Sequence, residues 1–400
     1  MIINQPSFCR NKPRLCGNLQ ADCMTKRLKK IIWPAFVTGN CLALLLGMLA
    51  DIAPFIHSGR FPLVALLGLA FPLLFLGNSL LATYWFYKKS RWRWPSVMVL
   101  LLGLYQLSMV FGFGVPAKFE RSKDNHTLRI ASWNLSSWGL TNRNNYSGAS
   151  YRHEMTELLK TTDADVICLQ EYHFLKTLTF RDSVIPELVK NGYIYSYFAR
   201  KLYTAPVPDS ATITGVAIVS RIPIIDSACF HYKDPEDAEP LLSADILFNN
   251  QRIRIFTAHL QSVRFNPYDY AALHNLKNPG NASISRSRDV GGKLKIAYKK
   301  RAEQAAFFHS RIKQSPWPVI VCGDFNDVPG SYTYTTIRDN LQDAFLKKSF
   351  GIGRTYRFLS PTLRIDFILA DKKFSVAQYR KYEVDYSDHY PVLADLHWNH

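Results

Sequence analysis

The chain has 400 residues, enough for one large domain or two modest ones. Hydrophobic residues make up 48% of it and crowd into three N-terminal stretches, which excludes an ordinary water-soluble chain throughout. The formal net charge is +18; residues 1–120 hold 13 Lys/Arg against 3 Asp/Glu and the remainder 36 against 28, so +10 of the excess sits in the apolar part, where it reads as membrane topology rather than nucleic-acid binding.

Residues 1–30 read as a cytoplasmic segment, with Met1 and Met24 both open as the start. Cys9, Cys16 and Cys23 lack the paired spacing and histidine partners of a zinc site. Cys168 and Cys322 lie in apolar runs that read as buried strands, and Cys41 in a membrane-like run, so no disulfide framework is expected. A bilayer core needs about 20 mostly apolar residues of helix. Ile31–Ala50, Phe61–Tyr87 and Trp94–Ala117 carry no charge and predict three spans at about 31–52, 61–86 and 95–116 within 31–117. A cleaved signal peptide would show one shorter apolar region. Lys26, Arg27, Lys29 and Lys30 precede the first span, the first loop offers only Arg60 beside Asp51, and the second loop holds Lys88, Lys89, Arg91 and Arg93. That alternation predicts a cytoplasmic N-terminus and an extracytoplasmic (periplasmic or extracellular) C-terminal domain.

Residues 118–128 read as a linker, and 129–398 as one α/β domain of alternating strands and helices. LRIASWNL, DVICLQE, TGVAIVS, RIRIFTAHL, PVIVCGDFN, RIDFILA and PVLADL read as strands, and His153–Lys160 and Leu294–Ile312 as helices. Residues 263–292 form a long polar, aromatic stretch with Tyr268, Tyr270 and a Ser/Arg cluster at 284–288; it is either a functional loop or a plain insertion. The basic run Lys293–Arg301 reads as the solvated face of a helix.

Polar residues gather where the strands end: Asn134, Glu171, His259, Asp324 with Asn326, Asp366, and Asp388–His389. Singly, each has a bland reading. Asn134 can form a turn, Asp324 and Asn326 can close an Asx turn, and either histidine can be a satisfied core residue. Together, WN at 133–134, LQE at 169–171, HLQS at 259–262, GDFN at 323–326, RIDFI at 364–368 and SDHYP at 387–391 resemble, in order, the endonuclease/exonuclease/phosphatase superfamily. The resemblance runs from about Arg129 to Leu396, and GDFN and SDHYP are its most specific pieces.

The resemblance implies a four-layer α/β/β/α sandwich of the DNase I-like kind with one or two divalent metals at the strand ends, Mg²⁺ with Mn²⁺ as a substitute. It implies Glu171 as principal metal ligand, with Asn134 beside it and Asp388 supporting metal or histidine. Asp324 and Asn326 would orient or activate water. His389 would contact the scissile phosphate and move a proton, and Asp366 would hold its imidazole. His259 resembles the second histidine of some branches, and Arg221 matches a position where relatives often have arginine; it either binds phosphate or only forms a salt bridge. Tyr197 and Tyr203 lie where some relatives contact phosphate.

These residue types fit phosphoester hydrolysis on general grounds. Mg²⁺ prefers hard oxygen ligands. Charge developing on the phosphoryl oxygens needs a metal, an imidazolium or an amide. Histidine titrates near neutrality and an adjacent carboxylate fixes its tautomer. The expected function is a membrane-anchored phosphoesterase acting on nucleic acid or on a phospholipid or sphingolipid headgroup, with no protein partner foreseen. A catalytically silent receptor or adaptor would be expected to lack one of Glu171, Asp324, Asn326 or His389, and none is missing. A transporter is disfavoured by spans without an ionisable pair.

Overall fold

A computed structural model describes residues 14–142, 145, 148–175, 185–202, 212–234, 238–266, 268–269 and 281–399. It opens with three helices, α1 (Arg14–Ile52, followed by a 3-10 turn at Ala53–Phe55), α2 (Pro62–Tyr87) and α3 (Arg93–Val110). Each contains a stretch long and apolar enough to cross a membrane: Ile32–Phe55, Pro62–Tyr87 and Arg93–Val110. Much of their bulk faces outward, Leu63, Leu73, Leu80, Met98 and Leu101 among it, which water would not favour and lipid would. Two buried polar side chains cross-link the helices: Trp85 Nε1 donates to Asn40 Oδ1 at 2.7 Å, and Asn78 Nδ2 to Ala43 O at 3.2 Å.

Three expectations change here. α1 begins at Arg14, inside the segment read as preceding the membrane, although Cys9 lies outside the described residues. Asp51 is in the last turn of α1 and buried in the bundle, not in the loop beside Arg60. The third helix stops at Val110 rather than near 116, because Gly112, Gly114 and Pro116 each disfavour helix. Its 18 residues span about 27 Å at ~1.5 Å each, close to the ~30 Å apolar core of a bilayer.

The chain then runs through β1 (Gly112–Phe113), β2 (Thr127–Asn134), α4 (Arg152–Thr161), β3 (Val166–Leu175), α5 (Ile185–Val189), β4 (Tyr195–Arg200) and β5 (Thr212–Ser220). The second half holds β6 (Ile224–Phe230), β7 (Leu241–Phe248), β8 (Gln251–His259), α6 (Asn281–Lys313), β9 (Val319–Asp324) and α7 (Tyr332–Arg338). It closes with β10 (Gln342–Asp343), α8 (Ala344–Lys348), β11 (Phe350–Gly351), β12 (Asp366–Ala370), β13 (Phe374–Lys381) and β14 (Val392–Trp398). Two mixed six-stranded sheets result, in the orders β13-β14-β2-β3-β5-β4 and β10-β12-β9-β8-β7-β6; only β2·β3 and β8·β9 are parallel.

The sheets pack face to face around Ile130, Val166, Ile218, Ile255, Ile320 and Val392. Met155, Leu159 and Leu188 of α4 and α5 cover one outer face. Phe308 and Ile312 of α6 with Tyr334 and Ile337 of α7 cover the other. The sandwich is therefore four-layered, α/β/β/α, of the DNase I-like type. Strands buried on both faces explain why so many read as continuous apolar runs. Cys168 and Cys322 are free and buried in two of them.

α6 starts at Asn281, 13 residues before the predicted Leu294, so the later part of the 263–292 stretch is helical rather than loop. Tyr270 and Tyr203 lie outside the described residues. Residues 119–121 are not a free linker, since the buried Arg129 guanidinium donates to Arg121 O at 2.9 Å and Glu120 O at 3.1 Å.

Candidate active site

The register of the second sheet sets His259, Asp324 and Asp366 side by side on β8, β9 and β12. The parallel pairing of β2 and β3 brings Asn134 opposite Gln170, so Asn134 and Glu171 face them from the first sheet. Gln170 ties the two sheets together, its Nε2 donating to Thr257 Oγ1 at 2.9 Å. Chain direction does the rest: all of these residues sit at one end of the sandwich.

Glu171 owes its aim to a bulge. The β3–β5 register shifts between Leu169 and Tyr172, and Glu171 has a φ of 48°. A non-glycine residue held there costs on the order of 1–3 kcal/mol, which surrounding packing must offset. Gly323 has the converse role. Its φ is 138°, and a Cβ there would lie 2.1 Å from Ala258 O on the neighbouring strand. Gly323→Ala is expected to prise β9 from β8 just before Asp324, giving a clear loss of folded yield and of melting temperature in thermal denaturation.

Asn134 Nδ2 donates to Asp324 Oδ2 at 3.0 Å and to Glu171 Oε1 at 3.3 Å. Asn326 Nδ2 donates to Leu260 O at 2.9 Å, and its backbone N–H donates to Asp324 Oδ1 at 2.7 Å, the Asx-turn bond. His389 Nδ1 lies 3.0 Å from Asp366 Oδ2, and its Nε2 lies 3.6 Å from Asp324 Oδ2. The His389 loop is pinned to β2: Ser387 Oγ donates to Asn134 O at 2.8 Å, and Trp133 Nε1 donates to His389 O at 3.0 Å. The Tyr356 ring meets the imidazole edge-on, 5.0 Å between centroids. Asp388 Oδ1 stands 4.0 Å from His389 Nε2.

His259 is built the same way by a residue that sequence reading missed. Its Nδ1 lies 3.2 Å from Glu239 Oε2, while its Nε2 points between Glu171 Oε1 at 3.6 Å and Asp324 Oδ2 at 3.7 Å. Glu239 also accepts the Glu171 backbone N–H at 3.2 Å, so it fixes both the bulge and the second histidine. The only signal for it was a carboxylate just before the apolar run LLSADIL. Two carboxylate–imidazole pairs, Asp366–His389 and Glu239–His259, thus converge on one oxygen of Asp324.

Burial works against protonating His389, but Asp366 and Asp324 outweigh it and hold its pKa well above the ordinary value. For His259, burial is likewise overcome, by Glu239 first and then Glu171 and Asp324, and the pKa rises to about 9. Glu171 is pushed up by burial, with His259 opposing and Asp388 and Glu239 adding. Asp324 is pushed up by burial and by Asp366, against the two imidazoles.

Five carboxylates (Glu171, Glu239, Asp324, Asp366, Asp388) face two imidazoles, a formal −3 even with both imidazoles protonated. Among the described residues, the ion pairs of these carboxylates are all with those two imidazoles. Such an excess in an enclosed site calls for a cation. The buried His259 Nε2 has no hydrogen-bond partner, Asp324, Asp366 and His389 offer ligand atoms within 4.8 Å of one another, and the carboxylate oxygens are the hard donors Mg²⁺ prefers. The residues present fit a divalent metal.

Arg221 does not belong to this site. Ser220 pairs with Val166, so Arg221 lies about 17 Å from Glu171 at ~3.3 Å per strand residue. Its guanidinium is ion-paired to Asp163 and stacks 4.6 Å from the Tyr193 ring centroid. A strand-end arginine looks the same in sequence at either end of a sheet. Tyr197 packs into the core between the sheets, away from the polar edge.

Residues 131–389 match the Endonuclease/Exonuclease/phosphatase family. The chain belongs to that family. It is by membership a metal-dependent phosphoester hydrolase. Residues 29–110 match a second family, described as a domain of unknown function (DUF8431). Among curated proteins the chain is similar to protein angel homolog 2 of Bos taurus, 25% identical over 233 residues, covering 55% of this chain and 38% of that protein. The Homo sapiens protein of the same name is 26% identical over 238 residues, covering 56% and 39%. The chain thus matches about two fifths of the length of these relatives.

Among solved structures, the endonuclease/exonuclease/phosphatase from Beutenbergia cavernae DSM 12333 is similar at 18% identity and a TM-score of 0.49, covering 68% of this chain and 72% of that one. The human Nocturnin catalytic domain with bound sulfate anion follows at 15% identity and a TM-score of 0.46, covering 68% and 94%.

Proposed function

We propose that the protein is a Mg²⁺-dependent phosphoesterase anchored in a membrane by its three helices, hydrolysing phosphodiester bonds of nucleic acid or of a lipid headgroup. The observation that carries this reading is the convergence of the two carboxylate–imidazole pairs on Asp324, beside Glu171 and Asn134. Glu171, Asn134 and Asp388 would hold the metal, with Mn²⁺ as a substitute. When bound, the metal supplies positive charge against the charge that develops on the phosphoryl oxygens.

The protein's own groups do the rest. Asp324 is fixed by Asn134 through Oδ2 and by the Asn326 N–H through Oδ1, so it orients a water and takes its proton. His389 is held by Asp366 with Nε2 free to face the phosphate; it stabilises the phosphoryl oxygens and gives a proton to the leaving oxygen. His259 is held by Glu239 and faces the same group from the other side.

The same proposal takes residues 31–110 as the membrane part, since β1 at 112–113 already pairs with β11, and 129–398 as the catalytic domain. Lys26, Arg27, Lys29 and Lys30, in α1 ahead of its apolar stretch, and the basic residues of the α2–α3 loop support a cytoplasmic N-terminus and an extracytoplasmic catalytic domain.

The test uses the full chain in detergent with a bis-aryl phosphate. Hydrolysis is expected to require Mg²⁺ and to stop with EDTA, and Glu171→Gln is expected to weaken Mg²⁺ binding and turnover by roughly 100-fold. Unchanged Mg²⁺ affinity in that variant would overturn the ligand assignment. Glu239→Gln is expected to cost roughly 10–100-fold in turnover. In the metal-free variant, imidazole NMR should find His259 titrating below its wild-type value, because the main group that raises it has lost its charge.

A further inference from the structure

The catalytic edge and the membrane edge of this protein are the same edge. The strands that carry Asp324 and Asp366 continue directly into the segments that touch the helical bundle. Beyond Asp324 and Asn326 the chain turns at Gly330, whose carbonyl lies 3.5 Å from Gln106 Nε2 of α3. A Cβ on Gly68 of α2 would meet that same carbonyl at 2.8 Å, so α2 and the turn are in backbone contact. Two residues before Asp366, the buried Arg364 donates through Nη2 to Met109 O at the end of α3, at 3.0 Å. Met109 itself is part of the core with Phe325 and Phe367, the neighbours of the catalytic aspartates.

The α1–α2 loop docks beside these contacts. Ser58 Oγ donates to Tyr298 O of α6 at 3.1 Å, and the His57 and Tyr332 rings lie 5.0 Å apart. At the far end of the sandwich, Arg221 pairs with Asp163 and Lys123 with Asp165, within the catalytic domain itself.

The level of a membrane surface is marked independently by what is left exposed. Phe55, Phe61 and Phe113 stand out at the ends of the helices nearest the catalytic domain. The catalytic domain adds Phe350, 64% exposed and paired in register with Phe113, and Ile296, 57% exposed on α6 one turn from the docked loop. Lys295 and Lys299 flank Ile296 and are exposed as well. Exposed aromatic and aliphatic side chains, with lysines whose stems can lie along apolar surface while their heads stay in water, are what a membrane interface accepts.

We infer that the substrate is a phosphoester of a bilayer lipid headgroup, in the leaflet against which the catalytic edge is held. This rests on the phosphoesterase reading and on the three helices spanning the bilayer. A lipid headgroup at that level reaches Glu171, Asp324 and His389 without leaving its membrane, whereas a nucleic-acid duplex must enter between the domain and the bilayer.

The test uses the full chain reconstituted with Mg²⁺ in unilamellar vesicles of phosphatidylcholine, phosphatidylglycerol and sphingomyelin, with a bis-aryl phosphate and a single-stranded oligonucleotide as soluble substrates. Phosphate-bearing headgroup release from one of the three lipids is expected. Phe350→Asp and Ile296→Asp, both at exposed positions outside the site, are expected to lower it about tenfold while leaving bis-aryl phosphate turnover within about twofold. Cleavage of the aryl phosphate, with or without the oligonucleotide, and of none of the lipids would overturn the lipid assignment and leave the hydrolase intact. Lipid cleavage unaffected by both variants would overturn the interfacial geometry. Failure on the aryl phosphate as well would remove the phosphoesterase reading itself.

Discussion

His389→Ala is expected to lower turnover by ~10³-fold or more while the full chain keeps its secondary structure. A positioned general acid–base group contributes about 10²–10⁴-fold, and His389 adds imidazolium charge beside the phosphate site. Its Nε2 faces Asp324 Oδ2 at 3.6 Å, and its Nδ1 is taken by Asp366. The alanine variant also strips Asp366 of its imidazole partner, so some loss of melting temperature accompanies the loss of rate.

Asp366→Asn separates the two effects. It preserves volume but offers an N–H where a carboxylate accepted one, turning the imidazole toward the wrong tautomer. A loss of up to ~10⁴-fold in kcat with a near-native melting curve is expected, by analogy with the aspartate of serine-protease triads. Steady-state kinetics on a bis-aryl phosphate reads both variants. His389→Ala within about tenfold of wild type would sink the assignment of His389. A silent Asp366→Asn would reduce Asp366 to a structural acid.

Arg129→Ala is expected to be among the most destabilising single changes in the catalytic domain, by ~3–5 kcal/mol, because it leaves a buried charge without its partner. The guanidinium bridges neighbouring strands, Nε to Asp395 Oδ1 at 2.7 Å and Nη2 to Asp395 Oδ2 at 2.8 Å, with both side chains almost fully enclosed. It also fastens residues 120 and 121 by their carbonyls and lies 4.9 Å from the Phe119 ring centroid. Without it, Asp395 retains the Gln378 Nε2 bond at 2.9 Å, and the segment leading from the helices loses its anchor.

Differential scanning calorimetry of the full chain should show the catalytic-domain transition about 10 °C lower. Arg129→Lys, which keeps the charge but loses the fork, should fall between the two. A shift within about 2 °C for the alanine variant would mean that the pair is solvated in solution. Since the pair lies away from the polar edge, turnover per folded molecule should hold at temperatures where the variant is native.

Much of this site could be read before folding because its residues stand at the ends of apolar strands. Asn134, His259 and Asp324 close apolar runs, Asp366 and His389 stand at the start of others, and Glu171, read as closing its run, sits at a bulge within β3, which continues to Leu175. The weaker strands were less visible. β4, β6 and β13 are edge strands that stay partly exposed along their length, and their sequences carry no motif that marks them as sheet edges. Arg221 shows how the same logic misleads, since a residue closing a strand can lie at either end of the sandwich until pairing directions are known.

The sequence by itself determined three apolar helices and a set of strand ends rich in metal-ligating and proton-transferring groups. Both follow from local composition, because an uncharged run of this length must leave water and a buried strand must emerge at a polar end. Only the tertiary structure decided that Glu239 holds His259, that Arg221 is elsewhere, and that the helices dock on the catalytic edge. Those are contacts between residues far apart in the chain, fixed by strand register and close packing, and no local pattern encodes which partner a buried carboxylate or a helix end will find.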